Sequence, residues 1–187
     1  MRCFLAIELP AAVHERLRSL QDRLRAAAPG VRWTRPDQIH LTVKFLGEVP
    51  DNQVPSVCRT AELVAAACSP FGIQVGGAGC FPPHGPVRII WAGLVDPPAG
   101  LLDCQQACER AFASLGYPPE DRRFHPHLTL GRVKASPAAG DLRAAVAGES
   151  RFSGGSFAAT ELVVFQSILS ASGPAYTVMS RGAFRAT

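Results

Sequence analysis

Residues 40–47 read HLTVKFLG and residues 127–134 read HLTLGRVK. The chain holds five histidines and seven threonines in 187 residues, so two near-identical His-x-Thr segments exceed what chance placement of a short motif produces. Polar and aliphatic residues alternate in both, the pattern of a strand with one face on a core. On that alternation His40, Thr42 and Lys44 share one face, and Leu41, Val43 and Phe45 share the other. His127 and Thr129 stand together in the second copy, with Leu128 and Leu130 behind them. Arg132 then falls opposite His127, and its guanidinium would reach the histidine side only if the strand bulged, twisted or ended near Gly131.

Outward from the motifs, strands and helices alternate. RCFLAIEL at the start reads as a buried strand, and PAAVHERLRSLQDRLRAAA as an amphipathic helix with Val13, Leu17, Leu20 and Leu24 on one stripe and His14 solvated among charged neighbours. A short strand and a turn at 36–37 precede the first motif. Helices are expected over 51–69, 99–116 and 138–147, and strands at FGIQVGGAGCF, VRIIWAGLV, RFSGGSFAA, TELVVFQSIL and AYTVMSRGAF, the last two separated by a Ser/Gly/Pro turn. Adjacent strands with two long helices indicate α+β rather than a doubly wound parallel sheet. The motif histidines lie 87 residues apart, close to half the chain, which suggests a duplicated lobe within one domain over 1–187.

Composition limits the function classes. With 47% hydrophobic and 18% charged residues, the chain can bury a core and is neither disordered nor fibrous. No apolar run reaches the ~18 residues of a membrane span, and the first residues do not form a signal peptide, so a cytoplasmic protein without membrane association is expected. The six cysteines sit in no Cys-x-x-Cys spacing and read as reduced, packed thiols. The net charge of +4 permits a polyanionic partner. Seventeen arginines against two lysines match a GC-rich coding sequence, so an arginine carries functional weight only beside a motif.

Two histidines paired with two threonines suit a specific chemistry. Cleaving a phosphodiester with internal geometry requires one proton removed from the attacking oxygen and one given to the leaving oxygen. Imidazole does either near neutral pH, and a hydroxyl beside each can hold a non-bridging oxygen. His125, His127 and His40 also offer three nitrogens of the kind zinc uses. Pro126 interrupts that strand, no carboxylate follows at short range, and the duplicated threonines would be left without a role, so no metal is expected.

The paired HLTV and HLTL, with KFLG after the first and PHLTLGR around the second, resemble the 2H phosphoesterase superfamily. RCFLAIELP, WTRPDQIHLTVKFLGEV and FHPHLTLGR are similar to its RNA 2′,3′-cyclic phosphodiesterase branch, also called 2′–5′ RNA ligase. The resemblance implies a bilobal α+β fold of duplicated, mainly antiparallel lobes with outer helices and a central groove. It also implies cofactor-free hydrolysis of a terminal 2′,3′-cyclic phosphate on RNA to a 2′-phosphomonoester. His40 is then the proton donor and His127 the acceptor, with Thr42, Thr129 and Arg132 on the phosphate. Lys44, Phe45, Trp33, Phe124 and His125 are candidate RNA contacts, Phe45 being assigned core parity. Joining of RNA ends by the reverse reaction and non-catalytic binding of RNA ends are the competing readings. A monomer is expected.

Overall fold

The computed structural model describes residues 1–133, 139–170 and 173–185. Its strands are β1 (Arg2–Ile7), β2 (Val31–Trp33), β3 (Leu41–Glu48), β4 (Phe71–Phe81), β5 (Ile89–Leu94), β6 (Leu128–Val133), β7 (Ser153–Ala159), β8 (Glu161–Ser170) and β9 (Gly173–Ala183). The helices are α1 (Ala11–Arg25), α2 (Val54–Ala66), α3 (Ala99–Ala113) and α4 (Ala139–Gly148). Position 138 of the fourth expected helix, and positions 171–172 of the last turn, lie outside the described residues. No described helix is long and apolar enough to cross a membrane.

All strands join one sheet of order β7-β4-β5-β6-β3-β1-β8-β9, with β2 pairing β6 as a side branch, and every pairing is antiparallel. The α+β class is therefore as the strand pattern indicated. The two motif strands, β3 and β6, are neighbours at the middle, joined at Leu41 and Leu128. Outward from that junction the order runs β3-β1-β8-β9 on one side and β6-β5-β4-β7 on the other.

All four helices cover one face. The α1 stripe is buried as its period requires, with Val13, Leu17, Leu20 and Leu24 at most 3% exposed. Helix α1 follows β1 yet packs against β7 and α4, whereas α3 follows β5 yet packs against β3 and α2. α1 and α3 thus each lie over the half of the sheet that the preceding strand does not belong to, whereas α2, which follows β3, stays with β8 and β9. Cys68, Cys104 and Cys108 are free thiols gathered between α2 and α3.

The face without helices carries its own small cluster of Phe4, Ala6, Val163 and Phe165, with Tyr176 packed beside it. This open face is where the motif side chains emerge.

Candidate functional site

His40 immediately precedes β3 and His127 immediately precedes β6. The Leu41–Leu128 pairing sets an antiparallel register in which His40 lies opposite Thr129 and Thr42 opposite His127. Facing residues in such a pair are ~5 Å apart and diagonal ones ~7–8 Å. On that register the two imidazoles stand diagonally across the strand junction, with a threonine at each remaining corner. Among the described residues neither threonine hydroxyl is taken by another protein group.

Both imidazoles are held in the same manner. His40 Nδ1 bonds the Gln38 carbonyl at 2.9 Å, and His127 Nδ1 bonds the His125 carbonyl at 2.7 Å. A carbonyl only accepts, so each Nδ1 carries the hydrogen and each Nε2 is left for the open face. His14 is not solvated as its charged neighbours suggested: its Nε2 bonds the carbonyl of Ile39 at 3.2 Å, tying α1 to the residue before His40.

Aromatic rings seat both histidines. His40 stacks on Phe4 at 4.7 Å between centroids and meets Tyr176 edge-on at 5.2 Å. His127 meets Phe81 edge-on at 5.1 Å. Burial on these rings pushes His40 down to about 4, opposed by its bond to Gln38 and by the charge of Glu8. His127 is lowered by burial first, with His125 and the Arg132 cation acting in the same direction and its backbone bond opposing. Both imidazoles are consequently neutral near pH 7 in the free protein.

A bulge follows each threonine. In β3, Ala6 pairs Thr42 but the next residue back, Leu5, pairs Lys44, leaving Val43 as the extra residue. In β6, Trp91 pairs Thr129 and Ile90 pairs Gly131, leaving Leu130 extra. An extra residue reverses the facing of everything beyond it. Arg132 is thereby returned to the histidine face, exposed and close enough to act on both His127 and Tyr176.

The same reversal corrects two expectations in β3. Lys44 does not share the face of His40; it is 2% exposed beneath α3, its Nζ bonded to Glu109 Oε2 and, at 3.0 Å, to the Pro118 carbonyl. Gln105 completes the network by donating to Glu109 Oε1 at 2.8 Å. Phe45, assigned to the core, is instead 58% exposed on the open face, where it pairs with Phe4.

Two further candidate contacts point away from the motifs. Trp33 pairs with Gly131, packs against the main core and lies under the Arg25 guanidinium of α1. Phe124 also packs on that core. His125 is exposed and lies against Phe81 and Trp91, at 5.2 and 5.1 Å between centroids. Among the described residues no three His, Cys, Asp or Glu side chains are gathered as a metal centre would need.

Several residues of the open face carried no sequence signal: Phe4, Phe81, Trp91 and Tyr176. Trp91 stands opposite Thr129 and lies over Gly79, where a Cβ would come within 2.2 Å of the indole.

The LigT like Phosphoesterase model matches residues 7–91 and 94–176, one motif falling in each matched stretch. The chain belongs to the LigT-like phosphoesterase family. Its relatives in this family include the RNA 2′,3′-cyclic phosphodiesterase of Methanothermobacter thermautotrophicus, 33% identical over 96% of both chains. That of Archaeoglobus fulgidus is 30% identical over 94% of this chain and 96% of the relative. Among solved structures, TT0787 of Thermus thermophilus superposes with a TM-score of 0.85 at 28% identity, covering 99% of this chain and 98% of that one. Escherichia coli LigT complexed with 3′-AMP gives 0.80 at 28% identity over 98% and 97%. These matches of the LigT-like chain cover 94–99% of its length.

Proposed function

We propose that this protein hydrolyses the terminal 2′,3′-cyclic phosphate of RNA to a 2′-phosphomonoester, with His40 and His127 as the acid and base and no metal ion in the reaction. The observation that carries the reading is the square of His40, Thr129, His127 and Thr42 across the β3–β6 junction, with Nδ1 of each imidazole held by a carbonyl. The named activity of the relatives and the 3′-AMP complex of LigT support the same substrate class.

The chemistry follows from those positions. Neutral His127 accepts a proton through Nε2 from water as its oxygen attacks phosphorus. His40, protonated at Nε2, gives its proton to the 3′ oxygen as the P–O3′ bond breaks, leaving a 3′ hydroxyl and a 2′-phosphomonoester. The proton that free His40 lacks is favoured once the anionic diester sits beside it. Thr42, Thr129 and the Arg132 guanidinium hold the non-bridging oxygens while charge builds on them.

The exposed rings of Phe45 and His125, one beside each motif, are offered to the flanking base. We also infer that residues 1–187 form one domain of two pseudo-symmetric lobes, a reading supported by the strand order on either side of the β3–β6 junction.

The test is chromatography of a short RNA with a 2′,3′-cyclic end after incubation with protein in EDTA. Wild type should yield the 2′-phosphate end, and His40→Ala or His127→Ala should each lose on the order of 10²–10⁴ in rate. Turnover that required added zinc would overturn the metal-free mechanism.

A further inference from the structure

Arg32 and Arg132 are directly opposite partners in the β2–β6 pairing. Directly opposite residues share a face, so Arg32 emerges on the histidine face with Arg132, while its neighbour Trp33 turns to the core with Gly131. Both arginines are exposed, and no carboxylate among the described residues pairs with either. Arg23, Arg25, Arg35 and Arg181, by contrast, each hold an acidic partner. Like charges set directly opposite in a sheet are destabilising, and an anion shared between them removes the repulsion.

The surroundings keep this place open. The start of β9 leans over β2: the Pro174 carbonyl accepts a bond from Gln38 Nε2 at 2.8 Å, and a Cβ on Gly173 would lie 2.7 Å from Arg32 Nη2. Glycine there leaves room for the guanidinium. Two residues further along, Tyr176 meets His40. Arg32 therefore lies past Thr129 along β6, on the same continuous surface as the reacting centre and about one strand repeat, ~7 Å, beyond it.

We infer that Arg32 binds the phosphodiester immediately 5′ of the terminal nucleoside, with Arg132 between it and the reacting phosphate, so that the enzyme selects oligoribonucleotide ends over free nucleoside cyclic phosphates. This rests on the cyclic phosphodiesterase reading above. It extends the substrate from a cyclic phosphate to a cyclic phosphate carrying a second anion at fixed spacing.

The experiment compares kcat/KM for adenosine 2′,3′-cyclic phosphate, for the adenylyl dinucleotide ending in the same cyclic group, and for that dinucleotide with a neutral methylphosphonate linkage. Wild type should favour the dinucleotide by about 10- to 100-fold, the range of a charge-assisted contact, and the methylphosphonate should return it to the mononucleoside level. Arg32→Ala should abolish the preference while leaving the mononucleoside rate within about twofold, and Arg32→Lys should restore part of it. Equal cleavage of the charged and neutral dinucleotides by wild type overturns the inference without recourse to any variant. So does an Arg32→Ala loss that is the same for both natural substrates. Failure of wild type on all three substrates would instead remove the parent reading, and this one with it.

Discussion

Gln21, buried in the middle of α1, donates its side-chain amide at 2.8 Å to the carbonyl of Leu130, the extra residue of the β6 bulge. The same nitrogen reaches the Thr34 carbonyl at 2.8 Å, and the Thr34 N–H bonds Leu130 as well. A helix on the covered face thus holds the irregularity that turns Arg132 towards the histidines. Replacing Gln21 by Leu should cost about 1–3 kcal/mol in stability and lower kcat/KM by about tenfold. Most of the activity loss should vanish in an Arg132→Ala background, which a double-mutant cycle reads directly.

On the proposed mechanism the two histidines set the pH dependence of catalysis. The acid and alkaline limbs of kcat/KM report the two constants of the coupled imidazole pair rather than of either histidine alone. Both imidazoles are lowered in the free protein, His40 to about 4, so kcat/KM should peak on the acid side of 6.5. The kcat optimum should lie higher, because the bound diester favours imidazolium. Arg132→Met removes a cation that lowers His127 and should shift the profile towards higher pH. A kcat/KM profile flat from about pH 6 to 9 would sink paired imidazole catalysis.

His40 also links stability to pH. Its folded value of about 4 lies below the unfolded 6.5, so between those limits the unfolded chain binds a proton that the native state does not. Stability is therefore complete above the unfolded value and falls as pH drops towards the folded one. Urea unfolding at pH 7 and pH 4.5 should show His40→Phe losing about 2 kcal/mol less than wild type over that interval.

Lys44 is a structural cation. Lys44→Met leaves Glu109 without its ion-pair partner and should cost about 3 kcal/mol, with partial recovery in a Lys44→Met, Glu109→Met double variant. KM for RNA and its salt dependence should stay at wild-type values. Phe45→Ala should do the reverse, sparing stability because the ring is largely exposed and raising KM for RNA by about tenfold through loss of stacking.

The histidines and threonines were legible because the strand period is simple up to each threonine: polar side chains outward, aliphatic ones inward. The period breaks one residue later. Val43 and Leu130 are ordinary strand residues, and nothing local marks them as extra. For Arg132 the need for a bulge follows from the family resemblance, which puts its guanidinium on the phosphate although strict alternation turns it away. Lys44 gives no such sign of a bulge, because its charge agrees with the unbroken alternation. Aligning the motifs would have revealed it, because Phe45 and Arg132 both stand five residues after their histidine. Phe4, Phe81, Trp91 and Tyr176 come from strands whose apolar runs fit either face, so only the sheet order discloses that they seat the imidazoles. His14 and Gln21 act through contacts with distant backbone, which helical periodicity does not reveal.

The crossed placement of α1 and α3 makes the chain mechanically interlocked. A break in the 95–98 connection would separate each long helix from the apolar surface it seals, so neither fragment could bury its own stripe. The halves must therefore be completed together, and the spacing between the imidazoles at their junction is set by the whole molecule rather than by a hinge between two finished pieces.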